Sequence, residues 1–322
     1  MQDTICVIIP ARGAVETLGR CVRSVLDTAY LRLEVIVADD GLDESGIAQL
    51  AEFRDRVKVI GIDGRGPSYA RNRAAESTSA AYVAFTDSDC IVDRQWLNEL
   101  LKGFVMRPEA AACGGRQEIP RDASEFEKRL FSFMETTGFV TDYVRQAGGD
   151  ARIVTVDHNA SCNVMYRRDI FVKEGGLLEG LWPGEDVEFD YRLKKKGYVA
   201  VFNPGAVVYH YRPKDIQVFA GMMYRYGAAQ ALLVKRYGFF RKIHFVPVVS
   251  AAVLVLLVSL SAGSGTLWFL GLIMVLCGAV TVIMMMLGEA ALGVDLIRMA
   301  LVTYLFWHFG FMRGLISRGL GR

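Results

Sequence analysis

The ten residues from Ala80 to Asp89, Ala-Ala-Tyr-Val-Ala-Phe-Thr-Asp-Ser-Asp, are apolar until their last few positions and then carry two carboxylates one residue apart. So apolar and β-prone a run reads as a strand buried on both faces, the kind that belongs to a parallel sheet. Two like charges at the end of a buried strand need a counter-charge close by, because an unpaired buried carboxylate is costly. A divalent cation is the most economical choice, and hard carboxylate oxygens suit Mg²⁺ or Mn²⁺. Open α/β sheets bind ligands at the carboxyl ends of their strands. Asp87 and Asp89 therefore mark a candidate active site.

The chain on either side alternates in type. Thr4 to Ile9 predicts a strand ended by Pro10, and Val15, Leu18, Val22, Val25 and Leu26 give helical spacing over 14–29. Strands are expected at 33–38 and 57–60, separated by a helix over 43–54. A helix over 67–78, with Pro67 in its first turn, leads to the strand at 81–86 and a helix at 94–105. Beyond residue 110 the pattern shortens to strands at 111–117, 153–156, 160–165, 199–202 and 206–210, with helices at 124–137 and 184–197. The expected class is α/β, a mostly parallel sheet with helices on both faces.

Hydrophobic residues make up 52% of the 322, and the excess is not spread evenly. No charged residue or histidine occurs from Phe245 to Gly288. That run suits two membrane crossings of about 20 residues each, at about 245–261 and 266–287, split by the Ser-Ala-Gly-Ser-Gly turn at 261–265. Lys235, Arg236, Arg241 and Lys242 precede it, which places the first half on the cytoplasmic side. A third apolar segment, about 292–316, has only Met299 to Met312 free of flanking charges, so an interfacial or re-entrant helix is favoured narrowly over a third span. Residues 215–243 form a linking helical segment. A net charge of +2 provides no basic field for nucleic acid. The start of the chain lacks a basic-then-apolar leader, so the first domain is expected in the cytoplasm. The six cysteines have no C-x-x-C spacing, which speaks against disulfide frameworks and structural zinc and leaves buried thiols in a reducing compartment.

Four short constellations carry chemistry. Ile8-Ile9-Pro10-Ala11-Arg12 is a strand end, and Asp39-Asp40-Gly41 puts two acids directly after an apolar strand, fit to cap a helix or to meet a base N–H or ribose hydroxyl. Asp87, Ser88 and Asp89 are preceded by Ala70-Arg71-Asn72, whose arginine is available to phosphates. Gly184-Glu185-Asp186 opens a helix, where the terminus keeps a carboxylate ionised as a general base requires. His210 ends a strand, a position that is structural unless a metal site lies beside it.

In this order and spacing, and with Asn163, Tyr166-Arg167, Gly197-Tyr198 and Pro204, these residues resemble the family 2 glycosyltransferases over roughly residues 4 to 212. The resemblance implies the GT-A fold, with a nucleotide-sugar-binding half at 1–110 and an acceptor half at 111–214, ahead of the membrane region 244–322. It implies an inverting, metal-dependent hexosyltransferase of cell-envelope polysaccharide biosynthesis at the inner membrane, with its catalytic domain cytoplasmic. Its partners would be a UDP-, GDP- or dTDP-sugar donor and a lipid-linked or glycan acceptor. By the same resemblance Asp186 is the base with Glu185 beside it, and Asp87, Asp89 and His210 hold Mn²⁺ or Mg²⁺. Pro10, Ala11, Arg12, Asp39, Asp40, Arg71, Asp87, Ser88 and Arg225 would meet the donor. Leu42, Ala74 and Cys90 depart from the family pattern, none of them removing a needed charge, and the Gln-x-x-Arg-Trp signature of processive synthases is absent. Two other readings stay open: a sugar-nucleotidyltransferase, for which Pro10-Ala11-Arg12-Gly13 is a poor triphosphate loop, and a membrane-anchored module that binds a nucleotide sugar without turnover.

Overall fold

The computed structural model describes residues 3–13, 16–138, 152–264 and 290–317. The expected span at 266–287, Cys277, Arg318 and Arg322 lie outside the described residues. Two compact units are present, one of residues 1–124 and 134–212, the other of residues 125–133 and 213–322.

The first unit is built on one sheet in which the described strands run β3-β2-β1-β4-β8-β6-β9-β5, with β7 on β9. The strands are β1 (Ile5–Gly13), β2 (Leu33–Leu42), β3 (Lys58–Gly61), β4 (Tyr82–Phe85), β5 (Cys90–Val92), β6 (Ala110–Glu118), β7 (Val154–Val156), β8 (Val164–Arg167) and β9 (Val199–His210). Helices α1 (Leu18–Leu26), α2 (Glu44–Gln49), α3 (Pro67–Glu76) and α4 (Trp96–Met106) lie between the early strands, and α6 (Arg168–Lys173) and α7 (Glu185–Lys195) between the late ones. Both faces are covered. Along β1, Ile5, Val7 and Ile9 enter a core with Leu18, Val22, Trp96 and Leu100, while Cys6 and Ile8 enter another with Ala70, Ala74, Phe171 and Phe189. The period of two in β1 thus divides its side chains between two helix layers. Ala74, a departure from the family glycine, is fully buried there, so a small residue still satisfies the close helix–sheet approach.

Several expectations are corrected. The sheet is parallel across β3, β2, β1 and β4 but mixed beyond, because β8 pairs antiparallel with both β4 and β6. Pro10 does not end β1, which pairs with β2 as far as Gly13. The carbonyl of Ile8 points toward β4, accepting from Thr86 N–H, and backbone alternation turns Pro10 to that same side, past the last β4 residue, Phe85. A missing N–H costs nothing there. The strands expected at 199–202 and 206–210 are one, β9, whose register against β6 shifts at Asn203–Val207 to absorb Pro204 and Gly205. The helix expected over 14–29 is α1, at 18–26, and β5 and α6 were not foreseen.

In the second unit α8 (Ile216–Tyr237) packs on α10 (Ala290–Ile316), with α9 (Val246–Ser264) at the position of the first expected span; the opening of α5 (Glu125–Thr137) belongs here too. Within α10, Asp295–Ile316 is long and apolar enough to cross a membrane. Length is therefore no reason to prefer an interfacial segment, and Asp295 is paired with Arg129 at 2.6 Å. The two long helices meet backbone to backbone. A Cβ on Gly310 would lie 1.9 Å from the Tyr224 carbonyl oxygen, and one on Gly227 would lie 1.9 Å from that of Trp307.

Gly310→Ala is expected to destabilise the full chain by about 1–3 kcal/mol through this overpacking. Gly221→Ala on the same α8, where a Cβ meets only Arg225 Nη1 at 3.5 Å, is expected to be neutral or slightly stabilising. Denaturant unfolding of both variants checks this; equal stabilities would remove the backbone contact as a constraint.

Candidate active site

Parallel pairing sets the carboxyl ends of β1, β2 and β4 on one edge of the sheet, so Pro10-Ala11-Arg12, Asp39-Asp40 and the loop carrying Asp87, Ser88 and Asp89 share that edge. Two antiparallel steps, β4 to β8 and β8 to β6, restore the direction, and β6 runs parallel to β9. The carboxyl end of β9, His210, therefore points to the same edge. There it pairs across from Cys90 at the start of β5. Asp89 precedes Cys90, and its Oδ1 lies 3.3 Å from His210 Nε2. Asp87, Asp89 and His210 each offer an atom within 4.8 Å of the others. Two hard oxygens and one imidazole nitrogen fit Mn²⁺ or Mg²⁺.

Burial would raise Asp89, but the charge and hydrogen bond of His210 outweigh it and hold the carboxyl below its usual range. Burial would likewise lower His210, yet Asp89 and Cys162 bring it up to about 10. A proton on His210 and a divalent cation are thus alternative counter-charges for this acid pair. On the buried side of the same imidazole, the Cys90 hydrogen bond brings Cys162 down to about 6 against the effect of burial, while burial pushes Cys90 well up.

Arg71, expected to face donor phosphates, is instead 2% exposed, with both arms on carboxylates. Its Nη2 lies 2.5 Å from Asp87 Oδ1 and its Nη1 3.1 Å from Glu185 Oε1. Helix α3 is oriented for this at three points. Gly66 N–H donates to Asp40 Oδ1 and Oδ2 at 3.2 and 3.1 Å, Ser68 Oγ donates to the Leu181 carbonyl at 3.0 Å, and Asn72 clamps both backbone groups of Leu177 at 2.8 Å. Asp40, Asp87 and Glu185, far apart in the chain, are joined through one helix.

Gly184 starts α7 with φ +99°, a conformation that favours glycine, and Glu185 and Asp186 occupy the first turn. The two acids part company. Glu185 is buried, and burial followed by the Asp186 charge pushes it up to about 8. Asp186 is half-buried; its Oδ2 accepts from Ser161 N–H at 3.0 Å and its Oδ1 from Val187 N–H at 2.7 Å. The segment that brings Ser161 is fixed by buried Asp190, which accepts from Asn159 N–H at 2.7 Å and Tyr166 Oη at 3.0 Å.

Of the remaining expected residues, Ala11 is buried in the sheet and Arg12 reaches out, its Nη1 3.6 Å from Asp40 Oδ2. Asp39 Oδ1 accepts from the N–H groups of Gly41 and Leu42, within the last residues of β2. The Ser88 carbonyl accepts from Thr17 Oγ1 at 2.9 Å and that of Asp87 from Cys21 Sγ at 3.2 Å, so α1 anchors the acidic loop from outside. Arg225 is exposed on α8, in the second unit. Gln117 and Arg212 were not foreseen. Gln117 Oε1 lies 3.4 Å from His210 Nδ1 and accepts from Arg212 Nη2 at 2.8 Å, which orients the imidazole and sets a cation beside the acids. A basic residue two positions past the strand-end histidine was the available signal.

The family model described as "Glycosyl transferase family 2" matches residues 6–175. "Glycosyltransferase AglE" of Haloferax volcanii is 34% identical over 207 residues, 62% of this chain and 64% of that one. "Glucosyl-dolichyl phosphate glucuronosyltransferase" of the same organism is 25% identical over 179 residues, 55% of this chain and 56% of that one. The chain spans between about a sixth and two thirds of the length of the curated relatives it matches. The solved mannosyltransferase PcManGT of Pyrobaculum calidifontis, in complex with GDP-Man and Mn²⁺, superposes with a TM-score of 0.68 at 14% identity, over 98% of this chain and 88% of that one, which shows a shared fold.

Arg71→Met leaves two carboxylates without their common partner and is expected to cost about 3–5 kcal/mol, read by thermal or denaturant unfolding. Glu185, near 8 when folded against an ordinary 4.5, contributes fully below about pH 4.5, and that contribution declines as the pH rises through 8. Glu185→Gln is therefore expected to flatten the stability curve over that window. A variant curve as steep as the parent's would mean Glu185 is ionised in the folded protein.

Proposed function

The chain belongs to glycosyl transferase family 2, and from that membership we propose that it is a membrane-associated inverting glycosyltransferase. It moves a sugar from a nucleotide-diphospho-sugar to a hydroxyl of a lipid-linked or cell-envelope acceptor. The observation that carries this reading is the Arg71 guanidinium, which ties the Asp87 carboxylate to the helix start bearing Asp186. A loop with a cation-binding acid pair for a donor diphosphate and a helix start with a carboxylate for an acceptor proton are thereby tied to the same residue of α3.

In this reaction the acceptor oxygen attacks the anomeric carbon, its proton passes to Asp186, and the bond to the diphosphate breaks with the electron pair leaving on the nucleoside diphosphate. Asp186 suits the role because it stays half-exposed at the opening of α7 with both oxygens oriented by backbone N–H groups. Glu185, buried on Arg71, is a positioning residue. Asp87, Asp89 and His210 would hold the Mn²⁺ or Mg²⁺, which when bound supplies charge neutralisation of the leaving diphosphate. Arg212 adds a fixed cation at the same edge. Asp39, Asp40 and Arg12, together with the Pro10 and Ala11 backbone and Ser88, would form the nucleoside side. The 22-residue apolar helix at Asp295–Ile316 and the uncharged run at 245–288 support the membrane association. The dolichyl phosphate in one relative's name supports a lipid-linked acceptor. Basic residues before the uncharged run support a cytoplasmic catalytic unit.

Asp186→Asn is expected to keep donor binding and lose about 10²- to 10⁴-fold in kcat. Transfer measured with a panel of UDP-, GDP- and dTDP-sugars in Mn²⁺, with and without chelator, tests the whole reading. Near-parental turnover of the variant removes Asp186 as base, full activity in chelator removes the cation, and donor binding without transfer or hydrolysis leaves a binding module.

A further inference from the structure

The imidazole of His210 borders two different donor sets. Toward the sheet edge stand Asp87 and Asp89, all oxygen. Toward the interior stand Cys90 and Cys162, whose sulfur atoms and a His210 nitrogen also lie within 4.8 Å of one another. The three come from separate places in the fold: Cys90 begins β5, Cys162 sits just before β8, and His210 ends β9. Both cysteines are buried, at 0% and 4% exposure, and neither is in a disulfide. Sequence spacing cannot reveal this group, because the ligands are 72 and 48 residues apart and no C-x-x-C pair is present.

Two thiolates and a neutral imidazole balance the charge of a divalent cation and match the soft-to-borderline ligands that Zn²⁺ prefers. Asp89 Oδ1, 3.3 Å from His210 Nε2 and 3.9 Å from Cys90 Sγ, is within reach of a fourth position. The Asp89 side chain is 48% exposed and that of His210 18%, so the group borders the surface on that side. We infer that Cys90, Cys162 and His210 form a thiophilic cation site suited to Zn²⁺, set behind the acidic pair and sharing its histidine. One imidazole cannot serve both sets with the same nitrogen, so Zn²⁺ and Mn²⁺ compete. Resting on the transferase reading above, the consequence is inhibition by Zn²⁺ that excess Mn²⁺ relieves only by competition.

Metal binding tests the site without reference to turnover. The full chain, reduced with a phosphine and freed of metal, is titrated with Co²⁺ and then Zn²⁺. One equivalent of Co²⁺ is expected to give a thiolate-to-cobalt charge-transfer band that Zn²⁺ abolishes. Cys162→Ser and Cys90→Ser are each expected to lose the band and to weaken Zn²⁺ binding by at least about 10- to 100-fold, the range for loss of even an outer-shell partner. Asp87→Asn, outside the thiol set, and Cys113→Ser, remote from it, are expected to keep the band. Zn²⁺ added to the Mn²⁺-loaded protein is expected to release Mn²⁺, read by the free-ion resonance signal. No band in the parent chain, or a band that survives loss of either cysteine, overturns the site whatever the transferase assay shows. Release of Mn²⁺ that persists in Cys162→Ser overturns the sharing of His210. Because the parent chain alone can give the negative result, a variant that fails to fold does not shelter the proposal.

Discussion

One guanidinium organises this protein's candidate chemistry. Arg71 is buried and holds Asp87 with one arm and Glu185 with the other, at 2.5 and 3.1 Å. A buried cation flanked by two acids is stable only when geometry is tight, since each ion forfeits its hydration. Lysine could not take this place, for it offers a point charge rather than a planar fork. The rest of the α3 environment reads as the means of keeping that fork aimed: its amino end on Asp40, Ser68 on Leu181, and Asn72 on Leu177. Alanines at 70, 74 and 75 let the helix lie close on the sheet.

The edge on which these groups gather follows from topology. Parallel strands deliver loops to one end, and the late strands rejoin that end only because two reversals cancel. Short β5 then acts as a clip: its pairing of Cys90 with His210 fixes how far the acidic loop stands from the imidazole. Electrostatics follow from this placement. Burial reinforced by the Asp186 charge pushes Glu185 up, whereas Asp186 itself accepts two backbone hydrogen bonds. Adjacent acids in the chain are thereby given different surroundings, one buried against Arg71 and one half-exposed.

Much of this was legible locally. Apolar strands announced their burial, and acids at strand ends and after Gly184 announced the edge, because those signals need only a few neighbouring residues. What depends on distant pairing was not. Three-residue β5 is too short to show a period, and β9 was split in the reading because Pro204 and Gly205 look like a turn when the bulge against β6 is out of sight. Arg71 was assigned to phosphates because its true partners lie 16 and 114 positions away. Gln117 on β6 and Arg212 just past β9 meet through a strand adjacency that no spacing encodes, and the approach of Cys90 to Cys162 is of the same kind.

The contact between α8 and α10 has a consequence for handling the molecule. Glycines 227 and 310 bring carbonyl groups of one helix against the Cα of the other. Cohesion of that kind comes from close dispersion contact and weak Cα–H···O interactions, and owes little to the expulsion of solvent. Part of the cohesion of the helical pair is therefore independent of the solvent, and a side chain added at either glycine would part the two backbones in any medium.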